Sequence, residues 1–291
     1  MRFLMCRKVL YCFLLFLGAC SSVKVPVQPQ EKIDADKQLS YALQMESSKD
    51  FSTAIESYTI LMEKYRSFAD IQGLLTCLSG LARIELASGK EAGFLNYKAR
   101  MQERIQNIAP ELEYYLLLLD IYYYQQKSNY VAISRIATIK ESYPQEIALE
   151  LATAKLQADS YLAIAEEKQV KELINLSKKI EKQQQKAKYN NPELLSSAWY
   201  ALAYYYFRNA DYQSARGYIN KAQDWDYRFG NFSSMAHCLW LKAQISAAEN
   251  KMAEAKSNWL KAEGIFLSLR DTAAVEEMNR SMQKILQEQK K

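Results

Sequence analysis

"WYALAYYYFRNADYQSA", residues 199–215, places Tyr204, Tyr205 and Tyr206 side by side and follows them with Tyr212 and Ala215. Successive residues on an α-helix point about 100° apart, so three neighbouring tyrosines cover far more than one face. Such a helix needs protein on nearly every side. A second stretch, "IYYYQQKSNYVAI" at 121–133, repeats the spacing, with Tyr124 to Tyr130 matching Tyr206 to Tyr212. Walking on from Tyr212 gives Ala215, Ile219 and Ala222, the offsets of one helical face. The same face starts at Phe51 (Ala54, Tyr58, Leu61), at Tyr130 (Ile133, Ala137) and at Met252 (Ala255, Trp259, Ala262). Weaker copies start at Lys90 and Lys171, and the anchors 51, 90, 130, 171, 212 and 252 are then 39 to 41 residues apart.

Before Tyr212 the chain reads Trp199-x2-Leu202-Ala203-x2-Tyr206, with the small residue Ala215 beyond. That run resembles the tetratricopeptide repeat, W-x2-L-G-x2-Y followed by a small residue. Residues 38–65 match in part through Ala42, Met45, Phe51, Ala54 and Tyr58, and the resemblance spans 37–268. It implies an all-α, right-handed α-solenoid of about six helical hairpins with a C-terminal capping helix, each hairpin longer than the usual 34 residues. The hairpins are expected near 33–65, 69–107, 111–142, 145–188, 193–223 and 231–268, with the capping helix from Asp271 to about Gln289. Pro110, Pro144 and Pro192 sit at the handovers, and "SGK", "KSN" and "NAD" at 88–90, 127–129 and 209–211 are turn sequences. Composition agrees, because 8 Gly and 5 Pro are too few for the turns of a sandwich or barrel. In a solenoid the first helix of each hairpin meets its partner and both neighbouring repeats. Of three successive tyrosines, two can then wedge between repeats while one faces the groove.

The N-terminus belongs to a different logic. Arg2, Arg7 and Lys8 precede the apolar run "VLYCFLLFL", which ends in "GACSS", the basic, apolar, small layout of a secretory signal. Leu17 to Cys20, "LGAC", resembles the lipobox of bacterial lipoproteins. The resemblance implies a signal peptide at 1–19, acyl chains on Cys20 that hold the protein to a membrane, and residence in the bacterial cell envelope. Ser21 follows Cys20 where an Asp would retain an enterobacterial lipoprotein in the inner membrane, so the outer membrane, facing the periplasm, is expected. Residues 20–36, with Pro26 and Pro29, read as a flexible tether to a solenoid domain at 37–291.

Removing Arg2, Arg7 and Lys8 from 38 basic residues leaves 35 against 33 acidic ones, so no basic footprint for nucleic acid remains. Cys77 and Cys238 are the cysteines left beyond Cys20. They fall in hairpins two and six, roughly 40 Å apart for helices stacked about 10 Å from one another. A disulfide needs Cα atoms within about 7 Å, so two free thiols are expected. His237 is the one histidine, and the chain lacks H-E-x-x-H, G-x-S-x-G and phosphate-loop patterns. No metal or cofactor is implied, and an enzyme is not expected. The basic, Gln-rich run 177–188 reads as a solvated helix end or as an anionic contact.

The tetratricopeptide resemblance also implies a concave groove lined by first helices. Its inward positions fall on Tyr122, Tyr200, Tyr204 and Trp240, with Phe207, Arg208 and His237 beside them. A groove of tyrosine and tryptophan suits a protein or peptide partner. The leading expectation is therefore a non-catalytic scaffold or assembly factor of the envelope. A small-molecule or glycan receptor and a cryptic enzyme built around His237 are the alternatives, and so is an inert stripe in which these rings pack between repeats.

Overall fold

The computed structural model describes residues 29–186 and 193–288. The expected signal peptide at 1–19, Cys20, most of the expected tether and Pro192 lie outside the described residues. Among the described residues every regular element is helical. Six hairpins follow one another: α1 (Gln30–Ser47) with α2 (Phe51–Ser67), α3 (Ile71–Ala87) with α4 (Glu91–Ile108), and α5 (Tyr114–Gln126) with α6 (Tyr130–Ile136). Then come α7 (Gln145–Tyr161) with α8 (Glu167–Lys186), α9 (Glu193–Arg208) with α10 (Tyr212–Phe229), and α11 (Phe232–Ala248) with α12 (Met252–Ser268). A last helix, α13 (Thr272–Glu288), closes the array. Consecutive helices pack on one another, as a helical solenoid requires.

The turns explain the period. Lys49, Ala69, Gly89, Ser128, Ala210, Gly230, Asn250 and Arg270 all have φ between 50° and 76°, the left-handed region. Within each half of the chain they recur every 20 residues: 49, 69, 89, then 210, 230, 250, 270. In six of these turns the next residue is Asp or Asn: Asp50, Asp70, Asn129, Asp211, Asn231 and Asp271. Each of these side chains accepts from the backbone N–H three residues on, at 2.9 to 3.3 Å. An N-cap of this kind contributes about 1 kcal/mol and stops helix and turn from sliding in register. The 40-residue repeat is thus two units of one helix plus one turn, each 20 residues long.

Three expectations need correction. α8 begins at Glu167, so Lys171 lies in its second turn and is not the start of a helix. The third hairpin ends early, because α6 stops at Ile136 and residues 137–144 are not helical. β-branched Ile136, Thr138 and Ile139 weaken a helix there, and Pro144 turns its preceding residue away from helical geometry. Finally, the first helix starts at Gln30, so residues 30–36 are helical where an extended tether was expected. On this helix Ala35 is fully buried, Asp36 accepts from the Tyr65 hydroxyl at 2.9 Å, and Lys32 pairs with Asp70 at 2.9 Å. These tertiary contacts draw a weakly amphipathic segment into the array.

The core is divided into clusters that sit between neighbouring helices. Small residues let it close: at Gly73 and Gly80 of α3 an added Cβ would meet the Tyr65 and Tyr58 rings at 2.3 and 2.4 Å. Cys77 and Cys238 are free and buried, as their separation implied. On α8, Ser177 and Ile180 are buried while Lys178 and Lys179 are exposed. Over its described part, then, the basic run is a helix with one buried edge and a solvated face.

Candidate functional site

Arg83 on α3 organises the inner face of the solenoid. Its Nε and Nη2 donate to the two oxygens of Glu46 at 2.6 and 2.8 Å, and its Nη1 donates to Ser79 Oγ at 3.0 Å. The Tyr58 hydroxyl donates to Glu46 Oε2 at 2.6 Å. Burial alone would favour the neutral guanidinium, but the Glu46 carboxylate overrides it and holds Arg83 charged. The field of Arg83 also reaches Tyr122 on α5, Glu150 on α7 and Glu193 on α9. With Glu46 on α1, residues from four other first helices therefore surround the guanidinium that α3 carries. The sixth, α11, contributes His237, which feels Asp271 and Lys49. Those two residues are themselves ion-paired, joining the turn after α1 to the cap of α13. First helices line a tightly curved concave face.

That face is open but enclosed. Glu150 and Glu193 are exposed, yet the surrounding walls push both carboxyls above the usual range, with Arg83 opposing the shift. Exposure and a burial shift coexist where protein surrounds a group across a water-filled gap.

Deeper in the same face lies a cleft of about 240 Å³. Its walls are the Ser196 and Ser197 hydroxyls and the Tyr200 ring from α9, Ser234 and His237 from α11, and Gln157 from α7. Behind them, Asp226 of α10 and Cys238 of α11 complete the lining. Asp226 is 1% exposed, and burial pushes its carboxyl up to about 6 against the pull of hydrogen bonds from Ser196 and Cys238. The Cys238 thiol donates to Asp226 Oδ2 at 3.6 Å and is held well above the usual thiol range by burial. Burial lowers the imidazole pKa of His237 and favours its neutral form, with Lys49 adding to the shift and Asp271 opposing it. Among the described residues His237 shares no hydrogen bond with a serine or with Cys238. The cleft thus presents hydrogen-bonding groups and a carboxylate, without a nucleophile paired to its base.

The residues expected in the groove fall into three places. Tyr122 is half-buried beside Arg83 and Glu46. Tyr200 and His237 belong to the cleft; the His237 ring lies 6.1 Å from Trp240 and 4.9 Å from Phe266. Trp240 is half-buried against the cluster of Leu239, Phe266 and Met278 that joins hairpin six to α13. Tyr204, Phe207 and Arg208 form a third group at the end of α9. Tyr204 stacks on Tyr161 at 5.8 Å, and Tyr161 stacks on Tyr130 at 4.0 Å. Arg208 donates to the Tyr204 hydroxyl at 3.3 Å, and the Phe207 ring lies 6.4 Å from Tyr204 and from Tyr212. Tyr204 thus packs on the preceding hairpin, and Tyr206 stacks on Tyr218 of its own partner helix at 5.6 Å. The crowding of three tyrosines is the crowding between repeats.

Asp226, Arg83, Glu46, Glu150 and Glu193 were not singled out from the sequence. Asp226 carried a signal, since it continues the buried stripe Ala215, Ile219, Ala222 with an acid where an apolar residue belongs. Arg83 carried a weaker one, because only it and Glu85 are charged on the apolar helix α3. The two lumen glutamates had none.

No protein-family model and no curated protein matches this chain. Among the described residues no three His, Cys, Asp or Glu side chains are grouped as metal ligands, and no helix is long and apolar enough to cross a membrane.

Proposed function

We propose that this chain is a non-catalytic, lipid-anchored protein of the bacterial envelope, and that its concave face holds a peptide segment of a protein partner. The observation that carries the reading is the convergence of four other first helices on Arg83 of α3, with Glu150 and Glu193 left exposed. A peptide backbone needs donors and acceptors along its length, and this face offers Tyr122, Glu150, Gln157, Glu193 and Ser197 in sequence around the curve. An open face running across hairpins favours a peptide over a single enclosed ligand. The anchor rests on the signal layout and the "LGAC" tetrapeptide ending at Cys20; each buried acyl methylene adds about 0.8 kcal/mol of membrane affinity.

Site-specific photocrosslinking in cells tests the binding face. A crosslinker placed at Glu150 should trap one partner, and one placed at Ile60 on α2, which is 50% exposed, should not. Equal labelling from both positions, or none from Glu150, rejects the face. Fractionation tests the anchor: wild-type chain should sediment with membranes and Cys20→Ser should be released or remain uncleaved. Wild-type chain found wholly in the soluble fraction rejects it.

A further inference from the structure

Two acidic side chains are buried in the described structure, Asp159 and Asp226, at 3% and 1% exposure. Asp159 has a cation, Lys155 Nζ at 3.4 Å, and accepts from Gln169 at 2.6 Å. Asp226 has none. Its hydrogen-bond partners are the hydroxyl of Ser196 and the thiol of Cys238, both neutral. No Lys or Arg among the described residues forms an ion pair with it, and the charged side chain that acts on it is another acid, Glu193. An unpaired carboxylate buried away from water is strongly unfavourable unless something compensates the charge.

Asp226 also lines the 240 Å³ cleft that opens on the concave face, so the compensating charge can enter. The other walls suit a cation. Ser197, Ser234 and Gln157 supply neutral acceptors for the remaining N–H donors of an ammonium or guanidinium group. Tyr200 also lines the cleft, and an aromatic ring attracts a desolvated cation held over its face. His237 contributes no repulsion in its neutral form. Outside the cleft, Glu193 adds to the upward shift of Glu150 while Arg83 opposes it, so two carboxyls stand on the approach.

We propose that this cleft is a subsite for a primary ammonium or guanidinium group, seated on Asp226 beneath Tyr200 and supplied by a lysine or arginine side chain of the bound segment. The identity of the supplier rests on the peptide reading above; the cation site itself does not.

Calorimetric titration of the full chain in detergent tests both. The probes are acetyl-Ala-Lys-Ala-amide, its norleucine counterpart, in which a methyl end replaces the ammonium, and n-butylammonium. The lysine peptide should bind at least tenfold more tightly than the norleucine peptide, and Asp226→Asn, which keeps the shape and removes the charge, should erase the difference. If n-butylammonium binds as tightly as the lysine peptide, the cation site stands and a free amine is its source. Equal binding of the lysine and norleucine peptides, or a lysine preference that survives Asp226→Asn, overturns the proposal. The photocrosslink at Glu150 is read separately. Its persistence alongside a failed lysine preference rejects this subsite alone, and its loss alongside an intact preference rejects the peptide face alone.

Discussion

Trp199→Ala will lower the unfolding free energy by about 3 to 5 kcal/mol, the cost typical of deleting a fully enclosed large aromatic side chain. Trp199 is 2% exposed and sits at the centre of the larger C-terminal core, where its ring meets Trp225 edge-on at 5.3 Å. Lys221 Nζ lies 4.2 Å from the ring centroid, a cation–π contact that is lost as well. The side chain fills the space between α9 and α10, so its removal loosens the hairpin that both neighbouring repeats use as a wall. Repeat arrays depend on such nearest-neighbour contacts. Urea unfolding followed by circular dichroism should show either a much lower midpoint or a separate early transition for the C-terminal hairpins. An unfolding free energy within about 1 kcal/mol of wild type would mean that Trp199 is not the core residue described here.

Asp226→Asn should do the opposite and stabilise the protein. An unfolded aspartate ionises near 3.8, and in the fold burial raises this to about 6. Below the lower value both states hold the proton and the group is neutral in its effect. Between the two values the unfolded chain releases a proton that the folded chain keeps, so stability falls as pH rises. Above the upper value the full penalty persists, about 3 kcal/mol for a shift of this size. Asparagine cannot ionise and escapes it. The variant should therefore match wild type near pH 3.5 and exceed it by about 3 kcal/mol near pH 7.5. The acids and bases around Asp226 are Glu193, Cys238 and His237, and all three remain in both proteins, so the difference isolates Asp226. A gap that does not change with pH would show that the carboxylate is not held in a desolvated, uncompensated position. A bound cation should shrink the gap, because it relieves the same penalty.

The helical array was legible because its signals are local. The stripe Tyr212, Ala215, Ile219, Ala222 marks a buried face by angular spacing alone, and the turn sequences at 88–90, 127–129 and 209–211 mark where one helix gives way to the next. Where those signals weakened, the reading slipped. The hairpin with the weak anchor Lys171 starts its second helix at Glu167, and the helix over 30–36 is stabilised by Tyr65 and Asp70, far along the chain. The seven residues expected in the groove lie on α5, α9 and α11 and form three separate groups. The residue positions implied by the tetratricopeptide resemblance follow a shorter repeat, and each turn of additional helix rotates a side chain to a new neighbour.

The period, the turns within hairpins and the free state of Cys77 and Cys238 followed from the sequence by itself, since each depends on residues within one or two helical turns or on their separation along a regular array. Curvature did not. It accumulates from small rotations at every inter-helix contact, set by close approaches such as Tyr58 on Gly80 and Tyr65 on Gly73, and a periodic pattern is the same for a straight stack and a closed one. Only the folded chain brings Glu46, Arg83, Tyr122, Glu150 and Glu193 from five helices around one space, and only there does Asp226 become a buried carboxylate without a cation. The charge of a side chain is written in the sequence; whether that charge is paired depends on distances between elements far apart in the chain, and those distances exist only after the repeats have packed.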